Sequence, residues 1–268
     1  MNTHIQIDGQ GEDTIVMLHG WPDTGALWAR QVADLQADYR CVRLTLPGFA
    51  ADEQSRALSM DEVVAWLDES IRSVSDRPVI LMAHDWGAVF AYAYVRAHSE
   101  RVARLIGLDI GDTSEAFTRR LPLKHKLMML GYQLPLAVSY RLPRRWATPL
   151  TRRIARVLRA PAAPESIHAG MNFPYFQAWF GGKARYRSSA EFIPPYPMLF
   201  VYGTRKPFQF FAPEWAQKIA TLPSSQVTAM RAGHWMMVDA PDEFNRIVRE
   251  WLVQTDDASQ THACQRLD

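Results

Sequence analysis

The stretch that most constrains this chain runs from Pro78 to His98, PVILMAHDWGAVFAYAYVRAH. Val79 to Met82 is a short apolar run of strand type, and from Ala88 onward small and aromatic residues recur at helical spacing along one face. Strand and helix are therefore joined with almost no linker, through Ala83-His84-Asp85-Trp86-Gly87. So sharp a junction brings two backbones nearly into contact and needs small residues around its centre. Ala83 and Gly87, two before and two after Asp85, supply them. The central residue is then held in a strained conformation, which is the geometry of a nucleophile elbow. Its usual pattern is G-x-S-x-G, and here an aspartate stands in the serine's place. A carboxylate at that point moves the chemistry from acyl transfer toward attack on carbon.

Around this junction the chain alternates strands and helices. His4 to Ile7, Thr14 to Leu18, Tyr39 to Leu44 and Val102 to Leu108 read as strands, and Ala26 to Leu35 has helical spacing. Ser59 with Glu62 forms a capping box, and Met60, Val63, Val64, Leu67 and Ile71 mark one face of the helix it starts. The alternation stops near Thr113 and resumes with Met198 to Tyr202, a helix from Pro213 to Ala220, Val227 to Met230 and a last helix from Pro241 to Val253. This pattern predicts an α/β class with a mainly parallel, doubly wound sheet whose active site lies at the carboxyl ends of the strands. His19, Asp85, Asp109, Arg205 and His234 each follow a proposed strand and are expected along that edge. Residues 1–112 with 193–255 make the core, 113–192 an insertion, and 256–268 a polar, frayed tail. Asp239, close before Pro241, is expected to cap the last helix.

An elbow aspartate can displace a leaving group on carbon and form an alkyl ester. Release then needs a base to activate water and donors for the oxyanion that develops on the ester. His234, in Ala232-Gly233-His234-Trp235, is the natural base. The backbone N–H groups of Trp86, at a helix start, and Trp21, in the loop after His19-Gly20, are the natural donors.

Taken together, His19-Gly20-Trp21-Pro22, His84-Asp85-Trp86-Gly87-Ala88 and Gly233-His234-Trp235 resemble the α/β-hydrolase fold, in its branch with an aspartate nucleophile. That branch includes soluble-type epoxide hydrolases and haloalkane dehalogenases. The resemblance covers both halves of the core and implies that the insertion is a helical cap. Within the cap, Gly131-Tyr132-Gln133-Leu134 and Asn172-Phe173-Pro174-Tyr175 look like the two tyrosine segments that donate to the epoxide oxygen, the second with one extra residue. Typical members carry the triad acid in the loop where this chain has Lys206, in Tyr202-Gly203-Thr204-Arg205-Lys206-Pro207. Some dehalogenases place the acid one strand earlier, and Asp109 sits at the matching point here, with Asp112 as second choice.

The resemblance implies an epoxide hydrolase that needs no cofactor or metal. It would act with water on a small apolar or aromatic substrate. A haloalkane dehalogenase using the same Asp85 and His234, and a hydrolase-fold binding protein with little turnover, are the alternatives. The latter is prompted by Lys206. From Arg119 to Arg159 there are eleven Lys or Arg and no Asp or Glu, yet interleaved Pro, Met and Leu favour packed cap helices with a solvated basic face over nucleic-acid binding. The start shows no signal peptide and no run reaches the length of a membrane span, so a cytoplasmic protein is expected. Two cysteines, Cys41 and Cys264, form no disulfide framework or metal spacing. A homodimer stays open.

Overall fold

The computed structural model describes residues 4–50, 56–112, 114–182, 186 and 190–264. Seven strands form one sheet in the order β1-β3-β2-β4-β5-β6-β7, where β1 is Ile5–Asp8, β2 Thr14–Leu18, β3 Arg40–Leu44, β4 Val79–His84, β5 Val102–Leu108, β6 Met198–Gly203 and β7 Gln226–Met230. Only β1 runs antiparallel, against β3, and every other pair is parallel. Every residue of β2 and β4 is buried, because helices cover both faces and leave those central strands no polar side.

Alternation along the strands sends side chains into two apolar layers. Val16, Leu18, Val42, Leu81 and Ala83 pack with Leu67 and Ile71 of α2 (Met60–Val74) and Phe90 of α3 (Trp86–Ala97). Ile15, Met17, Cys41, Ile80 and Met82 pack on the other face with Leu35 of α1 (Ala29–Leu35) and with Phe244 and Trp251 near the chain's end. Each such aliphatic side chain contributes about 1.5–3 kcal/mol. The capping box is formed: the Ser59 Oγ accepts from the Glu62 N–H at 3.3 Å, and the Glu62 carboxylate accepts from the Ser59 N–H at 2.8 Å.

Between β5 and β6 the described residues hold α4 (Glu115–Arg120), α5 (Leu123–Ser139), α6 (Arg144–Val157) and α7 (Phe173–Phe180). Thr113, where the insertion was expected to begin, lies outside the described residues. Phe173 packs edge-on against Phe49, and Tyr175 against Trp21, so α7 is seated over the loops that follow β3 and β2. This places aromatic side chains of the insertion above the carboxyl ends of the strands.

After β6 come α8 (Pro213–Ala220), β7, α9 (Met236–Asp239) and α10 (Pro241–Cys264). Two expectations change here. The segment Ala26 to Leu35 divides into a tighter turn, Gly25–Trp28, and α1. The last helix does not end at Val253 but runs to Cys264, through most of the tail expected to fray. Neither Gly nor Pro interrupts 242–264, and the Asp256 carboxylate on this turn accepts from Arg104 of β5 at 2.6 Å. Residues 265–268 lie outside the described residues. Among the described residues no helix is long and apolar enough to cross a membrane.

Candidate active site

The tight passage from β4 into α3 fixes the central residue. Asp85 has φ 54° and ψ −126°, outside the regions that side chains ordinarily adopt. A Cβ on Gly87 would overlap the carbonyl oxygens of Leu18 and His19, and one on Gly20 would overlap the Asp85 carboxylate, so only glycine permits this approach. Asp85 makes no capping bond to α3. Instead its Oδ1 accepts from the Trp21 N–H at 2.7 Å, and the nearby Trp86 backbone amide also favours the ionised carboxylate. The two amides expected as oxyanion donors thus meet on one side of Asp85.

His234 lies in the loop between β7 and α9, with Nε2 3.5 Å from Asp85 Oδ2. Its Nδ1 is 2.5 Å from Asp109 Oδ2. Asp109 directly follows β5, is completely buried, and has φ 66°. Its other oxygen accepts from the Gly203 N–H at 3.1 Å and pairs with Lys206 Nζ at 2.7 Å. The position at which the resemblance places an acid therefore holds a buried cation bound to the acid from the neighbouring strand. Asp112, the second choice, is engaged locally, accepting from the Ser114 N–H at 2.9 Å and its hydroxyl at 2.6 Å. Arg205 does not join the cluster, because its side chain is exposed.

These contacts set the charges. Burial opposes the imidazolium of His234, but the bonds and charges of Asp109 and Asp85 outweigh it and raise the pKa to about 9. Burial likewise opposes ionisation of Asp85 and Asp109. For both, His234 more than compensates, helped at Asp109 by Lys206, and both sit below the usual carboxylate range. Burial lowers Lys206, with Asp109 pulling the other way.

The neighbouring histidines are structural and neutral. His19 accepts from the Leu46 N–H on Nε2 at 3.0 Å, and burial lowers it to about 4. His84 packs its ring 4.4 Å from that of His234, bonds the His234 carbonyl through Nε2 at 2.9 Å, and is lowered by burial to about 3. Asp239 does not cap α10. Its carboxylate accepts from the Gly233 N–H at 2.8 Å and braces the loop that carries His234.

From the insertion, Tyr132 on α5 and Tyr175 on α7 meet edge to face, with centroids 6.1 Å apart. The Tyr175 ring also abuts Trp86 at 5.3 Å and Trp21 at 5.6 Å. Tyr132 accepts from Gln133 Nε2 at 3.1 Å. Burial pushes both phenols up, and the Asp85 charge adds to it, so they keep their protons. The Trp86 indole lies against the Tyr175 ring and offsets part of the rise of its phenol.

Two further residues belong to the site. Asn172 is fully buried: its Oδ1 accepts from the Trp21 indole at 2.8 Å, and its Nδ2 donates to Ser139 and Thr151 at 2.9 and 2.8 Å. Its sequence signal is a polar residue directly before Phe-Pro-Tyr. Asp23 lies two residues beyond the oxyanion amide of Trp21, accepts from the Trp235 indole at 2.8 Å, and is raised by burial to about 7. Its signal is only its place in that loop. Among the described residues no group of three or more His, Cys, Asp or Glu is arranged to hold a metal.

The family model described as the alpha/beta hydrolase family matches residues 15–247. Epoxide hydrolase 3 of Xenopus tropicalis is 24% identical over 264 residues, which span 89% of this chain and 71% of that protein. Epoxide hydrolase 4 of Mus musculus is 21% identical over 274 residues, 93% of this chain and 75% of that one. Among solved structures, an epoxide hydrolase from Bacillus megaterium in complex with an inhibitor is similar with a TM-score of 0.72 and 20% identity, covering 93% of this chain and 96% of that one. A marine microorganism esterase is similar with a TM-score of 0.68 and 16% identity, covering 92% and 98%.

Proposed function

The chain belongs to the alpha/beta hydrolase family and is a hydrolase related to epoxide hydrolases, and from that premise we propose that it opens an epoxide to a vicinal diol through an alkyl ester on Asp85. The observation that carries this reading is the division of labour at the Asp85 carboxylate. Oδ1 rests on the Trp21 amide, while Oδ2 faces His234, with two protonated phenols nearby from the cap. Oδ2 attacks the less hindered epoxide carbon, the ring C–O bond breaks, and the oxygen takes a proton from Tyr132 or Tyr175.

Oδ1 then becomes the ester carbonyl, already placed on the donors that stabilise it as an oxyanion when water attacks. Of the water's two protons, one goes to His234 and the other ends on the departing oxygen, which frees the diol and restores the carboxylate. His234, protonated in the resting enzyme, supplies the proton that makes good the tyrosine's loss. Each cycle thus adds one water to one epoxide. Trp21, Trp86 and the two tyrosines surround the nucleophile with aromatic surface, which suits an apolar or aromatic substituent.

Relatives named epoxide hydrolases support this reading over two others. A halide-releasing enzyme needs free N–H donors for the halide, but the Trp21 indole is committed to Asn172. A protein that only binds has no need of the acid that Asp109 supplies to His234. Incubation of His234→Ala with styrene oxide should leave a covalent adduct on Asp85, read by intact-protein mass and peptide mapping. If a panel of aryl and alkyl epoxides leaves none, the proposal fails.

A further inference from the structure

Lys206 stands where a triad acid is expected, and its contacts give that cation a task. Asp109 shares its negative charge between two partners, with Oδ2 2.5 Å from His234 Nδ1 and Oδ1 2.7 Å from Lys206 Nζ. Lys206 is 7% exposed and Asp109 0%, so solvent screens the pair little. The ammonium also lies 4.8 Å from the centre of the Phe210 ring, whose edge packs on His234. Resting on the reading that Asp85 forms an ester, we propose that Lys206 is a positioning residue that turns His234 into a base only once Asp85 has been esterified.

The charge on His234 is set by the titratable groups that face it. Near pH 6, His84, His19, Tyr132 and Tyr175 are neutral, and Asp23, raised by burial to about 7, mostly keeps its proton. Four charges remain: Asp85 and Asp109 negative, His234 and Lys206 positive. In the resting enzyme they balance, and His234 keeps its proton. Esterification passes the Asp85 charge to the tyrosine that protonated the epoxide oxygen; once that tyrosinate is reprotonated, two buried cations would face one anion, and His234 is the cation that gives up a proton more readily. The proton goes to the tyrosine that protonated the epoxide oxygen, and the neutral imidazole can accept one from water. Without the lysine charge, the ester form would be a balanced pair of His234 and Asp109, and the imidazolium would persist. At an effective dielectric of ~20, one unit charge across Asp109 is worth about one to two pKa units at His234.

Asp85→Asn removes the same charge as esterification without needing a substrate. The imidazole titration of His234, followed by NMR of labelled histidine, is therefore measured in wild type and in Asp85→Asn, each with and without Lys206→Met. Asp85→Asn should lower the His234 pKa, and Lys206→Met should raise it by about one to two units in both backgrounds. Lys206→Arg should restore it, and Lys206→Gln, which keeps a donor for Asp109 without the charge, should behave as the Met variant and stands in for it if that variant does not fold. In single turnovers of styrene oxide at pH 7, ester hydrolysis in the Met variant should slow about 10-fold or more and recover at higher pH, with ester formation nearly unchanged. An unmoved His234 titration in the neutral variants, or an Arg variant that behaves like them, overturns the proposal, as does a shifted titration with ester hydrolysis at its normal rate. If no epoxide yields an ester even in His234→Ala, the proposed reaction fails, while the titration still decides whether Lys206 sets the proton affinity of His234.

Discussion

Asp85 and Asp109 each stand one residue beyond a parallel strand, and His234 is held on the loop leaving a third, whereas Tyr132 and Tyr175 reach the same point from helices inserted between β5 and β6. The strand-end groups carry charge, and their directions are set by backbone: the elbow at Asp85, the Trp21 and Gly203 amides, and the Gly233 amide anchored to Asp239. The cap groups are neutral and are aimed by ring packing and one buried amide, Asn172. On the proposed reaction, the difference follows from what each must do. A displacing carboxylate and its base need charges that face each other at fixed distances, while an acid for a developing alkoxide needs only to stay protonated and nearby. If so, substitutions on the strand side should stop chemistry, and substitutions on the cap side should slow one step of it.

The largest effect is expected at Asp85. Asp85→Asn should form no ester and lower turnover by about 10,000-fold or more, read by quenched single turnovers. Residual turnover near the wild-type rate would end the distinction between the two sides. Asp109→Asn comes next: ester should accumulate and its hydrolysis slow by about 10,000-fold, as when the orienting carboxylate of a triad is lost. The same change strands Lys206 without its counter-charge and should cost about 3–5 kcal/mol in urea unfolding. Adding Lys206→Met should recover most of that stability and none of the rate, which separates the acid's two duties. On the cap side, Tyr132→Phe and Tyr175→Phe should each slow ester formation by about 100-fold to 1,000-fold and leave ester hydrolysis nearly intact. A tyrosine variant impaired in both steps would show that the cap also orders the core.

How far each side could be read from the chain follows the same line. The elbow is local: the small residues at 83 and 87, the apolar run before them and the helical spacing after them lie within one stretch, and strand alternation carries the parallel sheet. Asp109 was visible as a carboxylate at a strand end. In the sequence Lys206 shows only as the lack of an acid, since nothing in a linear chain shows that its ammonium crosses to the carboxylate of the adjacent strand. Arg205, one residue earlier, is expected at the same edge from its place after a strand, and the loop turns it to solvent. The length of α10 was missed because its anchor, Arg104 to Asp256, joins residues 152 positions apart. Asn172 and Asp23 are polar residues whose burial is a property of the assembled loops, and composition alone would place them at the surface.

Asn172 tests whether its polar tie between cap and oxyanion loop matters for rate. Asn172→Ala leaves the Trp21 indole and the Ser139 and Thr151 hydroxyls without their partner, and should cost about 1–3 kcal/mol of stability. Turnover should fall by less than in either tyrosine variant, because the Trp21 amide remains on the Asp85 carboxylate.

The smallest effect on rate is expected at Asp23, where the strand side holds a carboxyl in the neutral form. Burial raises its pKa from 3.8 to about 7, against the bond from the Trp235 indole and the charge of His234, while Asp85 adds to the rise. The folded chain therefore holds a proton at Asp23 that the unfolded chain has released over that interval. Its contribution to stability is fully present below pH 3.8 and is lost as pH rises through about 7. Asp23→Asn keeps an oxygen to accept from Trp235 and removes the proton linkage, so its stability should vary less with pH than that of wild type between about 4 and 7. Turnover at pH 7 should stay within about threefold, since Asp23 bonds an indole and not the nucleophile. Urea titrations at several pH values would check this, and a variant as steep as wild type in that window would assign the pH dependence to groups other than Asp23.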